Sequence, residues 1–283
     1  MRAGLLTARD RDEALEYLSR NPRRNLWLFN QTASLGDAPP LGHGVPQIVA
    51  AWDEHGLAGL ASLSPCITPD AIIGPDALDA LMPYLATVKS GLIKGRYRTV
   101  SALWERLSRR GAIALEDHEE IAWSVWPGEE VRIDFPPGAI FRPADESDLD
   151  AVFEAVREGL KADGLWGHLD DDIVARRLWV RGHIPKVKVV EMDGKVVWAG
   201  SIGVRRPEGW LVEGVYTWPH ARGQLLAAAV GSATFREAFE AGATHVQAAG
   251  LAESAPSIAL HRKVGFTPFD QIRTILFRYG GRP

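Results

Sequence analysis

Apolar positions along the second half of the chain change period in a readable order. Leu149, Val152, Phe153, Val156 and Leu160 recur every third or fourth residue, which predicts a helix over 145–160. Asp170, Asp171 and Asp172 precede "IVARRLWV", as acidic residues do at a helix start. "KVKVVEM" and "VVWAGSIGV" flank the turn "DGK" and read as a hairpin, and "WLVEGVYT" reads as a third strand. A helix over 222–240, a strand at "THVQAAG", a helix over 255–263 and a strand at "QIRTILFRY" complete the order.

The first half carries a blurred version of the same order. Residues 10–20 and 24–34 read as helices, and "QIVAAWD" and "GLAGLASLS" as strands around the turn-like "EHG". "DAIIG" is expected as a short strand before the helix "PDALDALMPYLATV", and "GLIKG" as a strand before "TVSALWERLSRRG". "EEIAWSVW" closes this half. Between the halves, Pro136, Pro137 and Gly138 break the periodicity as a linker does. The pattern therefore predicts two copies of one α/β unit, at 1–137 and 138–283, with mixed α and β content. The length of 283 residues suits two domains.

Composition removes several function classes. The net charge of −4, without a long basic block, argues against nucleic acid as a partner. Cys66 is the sole cysteine, so no internal disulfide forms, and the eight histidines show no metal-ligand spacing. No run of about 18 apolar residues is present to span a membrane, and "MRAGLLTARDRDEALEYL" lacks the apolar core of a signal peptide. The expectation is a cytoplasmic protein with no metal, no membrane and no nucleic-acid partner.

The chemistry concentrates at residues 210–230, a strand, a turn and a helix. Backbone N–H groups at a helix start have no intrahelical partner and, with the helix dipole, attract anions. Arg222 adds charge there, and Gly223 allows close backbone approach. Glu213 shares a strand face with Val215 and Thr217, because strand side chains alternate, and it is the candidate base.

"VYTWPHARGQLLA", followed by "HRKVGF", resembles the GNAT (Gcn5-related N-acetyltransferase) superfamily. The family's phosphate loop reads Arg or Gln, two residues, Gly, one residue, then Gly or Ala. Arg222 and Ala227 fit its ends, and Leu225 stands in the place of the middle glycine. Further on, Ser254, Ser257 and His261 stand where the family carries Asn, a small residue and Tyr, and Gly265 and Phe266 match directly. The resemblance covers most of 138–283, and the hairpin "VEMDGKVVWAGSI" is similar to the family's central one. The first half is similar only in element order. Its "DAIIGPDALDAL" lacks the Arg and the glycine pair and places Asp76 where a pyrophosphate would sit. The chain looks like a tandem protein with a degenerate N-terminal lobe.

The resemblance implies two lobes, each a mostly antiparallel mixed sheet flanked by helices. It implies acetyl-CoA, or another acyl-CoA, bound by Val215, Tyr216, Thr217, Arg222, Gly223, Gln224, Leu225, Leu226, Ala227, Ser254 and Ser257. It makes a backbone N–H at Tyr216 or Thr217 the oxyanion donor and His261 the acid for the departing thiolate. Trp166 and His168 fall in the loop that lines the acceptor site. The implied activity is acetyl transfer to a small-molecule or peptide amine by a monomer or homodimer. The rival is an inactive GNAT-fold module that binds acyl-CoA or a protein partner.

Overall fold

A computed structural model describes residues 1–165 and 173–280. The chain is mixed α/β and divides into two compact units. One comprises Met1–Pro39, Gly44–Glu120 and Asp270–Pro283; the other comprises Pro40–His43 and Ile121–Phe269. The units thus divide the sequence elsewhere than at residue 137. The end of the chain lies in the first unit, and the segment before the linker lies in the second.

In the first unit β1 (Arg2–Leu5), β2 (Gln47–Asp53), β3 (Gly56–Ser64) and β4 (Thr68–Pro69) form an antiparallel sheet in that order. Ile67 bridges in parallel to Ile93 of β5 (Ser90–Arg96). β5 then pairs antiparallel with the unit's share of β12 (Thr267–Tyr279), from Ile272↔Arg96 to Arg278↔Ser90. Helices α1 (Arg11–Ser19), α2 (Leu26–Ala33), α3 (Pro75–Leu85) and α4 (Tyr97–Ser108) cover this framework. Leu81, Leu85, Leu103 and Ile93 meet Ile275 and Phe277 of β12 in one fully buried cluster. Lys94 reaches both oxygens of Glu120 at 2.8 Å, and the Thr274 hydroxyl also donates to that carboxylate. Burial opposes charge on Glu120, but Lys94 and the hydroxyl outweigh it and hold the carboxyl below its usual range.

"DAIIG" is not a strand. β4 ends at Pro69, and Asp70–Gly74 turns into α3. The Asp70 carboxylate is fully buried and accepts from the N–H groups of Leu60 and Ile72 and from the Tyr17 hydroxyl. The Asn25 side-chain oxygen accepts from the N–H of Ala71 at 2.8 Å. The N–H groups of Ala71, Ile72 and Ile73 are therefore taken up by Asn25 and Asp70.

In the second unit the order is β6 tail (Ile121–Val125, of the strand Ala112–Val125), β11 (Val246–Leu251), β10 (Gly209–Thr217), β9 (Lys195–Arg206), β8 (Val187–Met192) and β7 (Ile140–Pro143). β7 to β10 are antiparallel neighbours, and β10 and β11 are parallel. Helices α5 (Leu149–Ala162), α6 (Ile173–His183), α7 (Leu226–Glu240) and α8 (Ala255–Lys263) flank it. Trp123 and Val125 of the β6 tail pack with Val246, Phe235 and Phe266. β1 and β7 went unpredicted because each has four residues and no buried position to set a pattern. Among the described residues no helix is long and apolar enough to cross a membrane.

Pro40–His43 lies against α6. A Cβ on Gly182 would come within 1.9 Å of the Leu41 carbonyl oxygen, so only glycine fits. His43 Nε2 lies 2.7 Å from His183 Nδ1, and Trp179 packs against both rings. Burial pushes His183 down to about 4, with His43 and Lys186 adding repulsion; burial also lowers His43. The unfolded chain, near the ordinary value of 6.5, therefore takes up protons first as the pH falls. The stability these neutral rings allow is present above that value and is lost progressively toward pH 4. Thermal midpoints measured across this window should fall in the native protein and fall less in His183→Gln.

Candidate functional site: a parted strand pair and a loop of free amides

The site is built where β10 and β11 separate. Their parallel pairing covers only Trp210↔Val246 and Leu211↔Gln247, although β10 runs on to Thr217 and β11 to Leu251. Against β9, Glu213 pairs with Ser201 and Tyr216 with Ala199, so Gly214 and Val215 oppose the single residue Gly200. Gly214 at φ +63° makes this bulge. A bulge leaves amides outside the ladder, which is what a chain of ligand carbonyls or an oxyanion requires.

Beyond β10 the chain makes one short turn at Pro219–Ala221 and then an open loop. The helix expected from residue 222 begins only at Leu226, so Arg222 and Gly223 precede it rather than open it. Arg222 Nε donates to the Thr217 carbonyl at 3.0 Å, and its guanidinium lies over the Tyr216 ring. Gly223 has φ +80°. Among the described residues the N–H groups of Gly223, Gln224 and Leu225 have no acceptor. Leu225 caps α7 in the left-handed region, at φ 63° and ψ 10°, and is followed by the helical Leu226. Successive residues of opposite hand turn their N–H groups to a common point and make an anion nest. Ala221 and Leu226 are buried and anchor the loop, and Ala227 lies in the first turn of α7.

Leu225 therefore sits at the positive φ that glycine fills without strain, which costs about 1–2 kcal/mol. Its side chain is 47% exposed, so little packing offsets that cost. Leu225→Gly is expected to stabilise the protein by roughly 0.5–1 kcal/mol after the added unfolded-state entropy of glycine. Denaturant unfolding of the two proteins checks this. A less stable glycine variant would mean that the side chain contributes packing the loop needs.

Glu213 projects over β9. A Cβ on Gly203 would meet its Oε1 at 1.9 Å, so the carboxyl lies where that glycine leaves room. Gly203 is itself the unpaired residue of a second bulge, between Val204↔Leu211 and Ile202↔Val212. Val215 is exposed, beside the loop. Tyr216 packs with Trp218 under α5 and α6.

The α8 residues serve the helix. Ser254 is its N-cap and accepts from the N–H of Ser257, and the Ser257 hydroxyl lies 3.3 Å from His261 Nδ1. His261 is buried, stacked 5.1 Å from Trp123 and edge-on to Phe266. Its Nδ1 donates to the Ser257 carbonyl at 2.7 Å. Burial lowers its pKa, against the carbonyl's opposing pull, so the ring is neutral at neutral pH. The charged acid expected of His261 does not fit this setting. Trp166, His168 and Asp170–Asp172 lie outside the described residues. Among the described residues no group of three or more His, Cys, Asp and Glu could hold a metal.

Comparisons with known proteins bear on the fold. Residues 153–266 match the profile of the Acetyltransferase (GNAT) family. A Drosophila protein of known structure superposes with TM-score 0.74 at 15% identity, covering 97% of this chain and 98% of that one. A tandem GNAT protein from the clavulanic acid biosynthesis pathway, solved without AcCoA, superposes with TM-score 0.61 at 14% identity over 100% of both chains. A GCN5-related N-acetyltransferase from Sphaerobacter thermophilus gives 0.62 at 14% identity, covering 99% and 96%. At these identities the likeness is one of fold. No curated protein matches. The chain has the fold of a tandem GNAT protein, and residues 153–266 are similar to the GNAT family profile.

Proposed function

We propose that this GNAT-like domain binds acetyl-CoA, or another acyl-CoA, and transfers the acyl group to an amine of a small molecule or peptide. The observation that carries this reading is the loop of free amides at Gly223, Gln224 and Leu225, which follows the end of β10 that runs past its pairing with β11. That set of donors fits a diphosphate, and Arg222 supplies charge beside it. The first unit's equivalent turn is closed by Asp70 and Asn25, so one acyl-CoA per chain is the expected load.

The bound thioester supplies the activated carbonyl. The chain's residues supply the rest. The backbone N–H of Tyr216 or Thr217 faces developing negative charge on the carbonyl oxygen. Glu213 takes the proton from the attacking amine, directly or through water, so that a neutral nitrogen attacks. As the C–N bond forms the thioester C–S bond breaks, and the departing thiolate takes its proton from solvent, because His261 is buried and orders the end of α8. The second reading, a GNAT-fold module that binds without turnover, draws on the strained Leu225 and the neutral His261.

Release of free thiol from acetyl-CoA in the presence of a panel of amines tests the assignment. Glu213→Gln is expected to lower kcat by about 10²–10⁴-fold, with acetyl-CoA affinity retained. Native turnover with equal turnover in the variant removes Glu213 as the base. Binding without turnover across the panel favours the second reading.

A further inference from the structure

Trp198 of β9 is 2% exposed, and its indole Nε1 has no hydrogen-bond partner among the described residues. A buried donor left unmade forfeits its water and gains nothing in return, so it persists where something else satisfies it. Its surroundings identify what that is. Trp198 pairs in register with Thr217 at the end of β10 and packs with Ala221, Leu226 and Val230. The far edge of the indole lies along β9 at Gly200, where an added Cβ would meet Trp198 Cη2 at 2.6 Å and Val215 Cγ2 at 3.2 Å. Val215, Thr217, Ala221 and Leu226 are the bulge and the loop described above. The other buried atoms of this kind belong to His118, Ser124 and Tyr279, none of which packs in this cluster.

We propose that the Trp198 indole N–H is a ligand-binding donor in the floor of the loop, reserved for an oxygen acceptor of the bound acyl-CoA. This rests on the acyl-CoA reading of the same loop. The acceptor is a phosphate oxygen or a carbonyl of the ligand's arm, which present the same chemistry to an N–H. The indole edge lies at Gly200 next to the exposed Val215, which is the side from which a ligand would reach it.

The test uses the full-length protein labelled with ¹⁵N in its tryptophan indoles. The Trp198 resonance is identified by its absence in Trp198→Phe, or in Trp198→Tyr should the first variant fold poorly. Saturation with acetyl-CoA is expected to move the Trp198 indole proton downfield, as formation of a hydrogen bond does. ADP, which carries the diphosphate without the arm, separates the two sources: a shift with both ligands assigns a phosphate, and a shift with acetyl-CoA alone assigns the arm. Acetyl-CoA affinity in the folded variant is expected to fall about tenfold. Acetyl-CoA that binds while the Trp198 resonance stays in place, with affinity unchanged in the variant, overturns the proposal and leaves the site. Absence of acetyl-CoA binding to the native protein overturns both.

Discussion

Deletion of Asp270–Pro283 is expected to abolish the fold of the first unit, although these residues lie at the opposite end of the chain from it. The deletion removes the strand paired with β5 from Arg96 to Ser90. It takes Ile275 and Phe277, both fully buried, out of a core that also holds Leu81, Leu103 and Ile93. It also strips Thr274 from Glu120, and Arg273 from Asp117 and Ser101. Phe277→Ala alone should cost about 3–5 kcal/mol, against a total stability of about 5–15 kcal/mol for an ordinary domain. Loss of the whole strand exceeds that margin. Hydrogen exchange checks it: amides of β2, β3 and β5 should lose protection in the truncated protein. Retained protection there would show that the unit closes without β12.

Arg222→Glu carries the second large effect. Arg222 is held to the Thr217 carbonyl beside three amides without acceptors. The substitution replaces a cation at the anion site with a carboxylate and introduces repulsion against each phosphate. Arg222 is solvent-exposed and its bond runs to one backbone oxygen, so the fold should be spared. A loss of acetyl-CoA affinity of about a hundredfold, or about 2.7 kcal/mol, is expected, with an unchanged thermal midpoint. Loss of both together would mean that Arg222 serves the fold.

Much of the architecture was legible in the residues because long elements carry their own period. Helix α5 buries Val152 and Ala155 on one face, and the pattern reports that face. The strand "QIRTILFRY" was equally clear, yet nothing in its alternation tells which unit's sheet it joins. "DAIIG" looked like a strand because Ala71, Ile72 and Ile73 are apolar in a row. What turns it is Asp70, drawn inside by the nearby Ile72 N–H and by donors from Leu60 and Tyr17 that the sequence places farther away.

The loop was legible in its residue types and less so in its backbone. Arg222, Gly223 and Ala227 marked it, but the apolar run after Gln224 hid the left-handed step at Leu225 and moved the expected helix start upstream. His261 is expected from the sequence to act as an acid, and the structure buries it. Its burial depends on Trp123, from a strand that precedes the linker, and no local pattern announces that contact. The unpaired indole of Trp198 leaves no trace in the sequence, since it is defined by the acceptor it lacks.

The most direct test of the account is calorimetric titration of the native protein with acetyl-CoA, beside Arg222→Glu. The account predicts saturable binding of one acetyl-CoA per chain, with Kd near micromolar (about −8 kcal/mol), and its loss in the variant. Binding of equal strength in both proteins, or no binding to either, would contradict it.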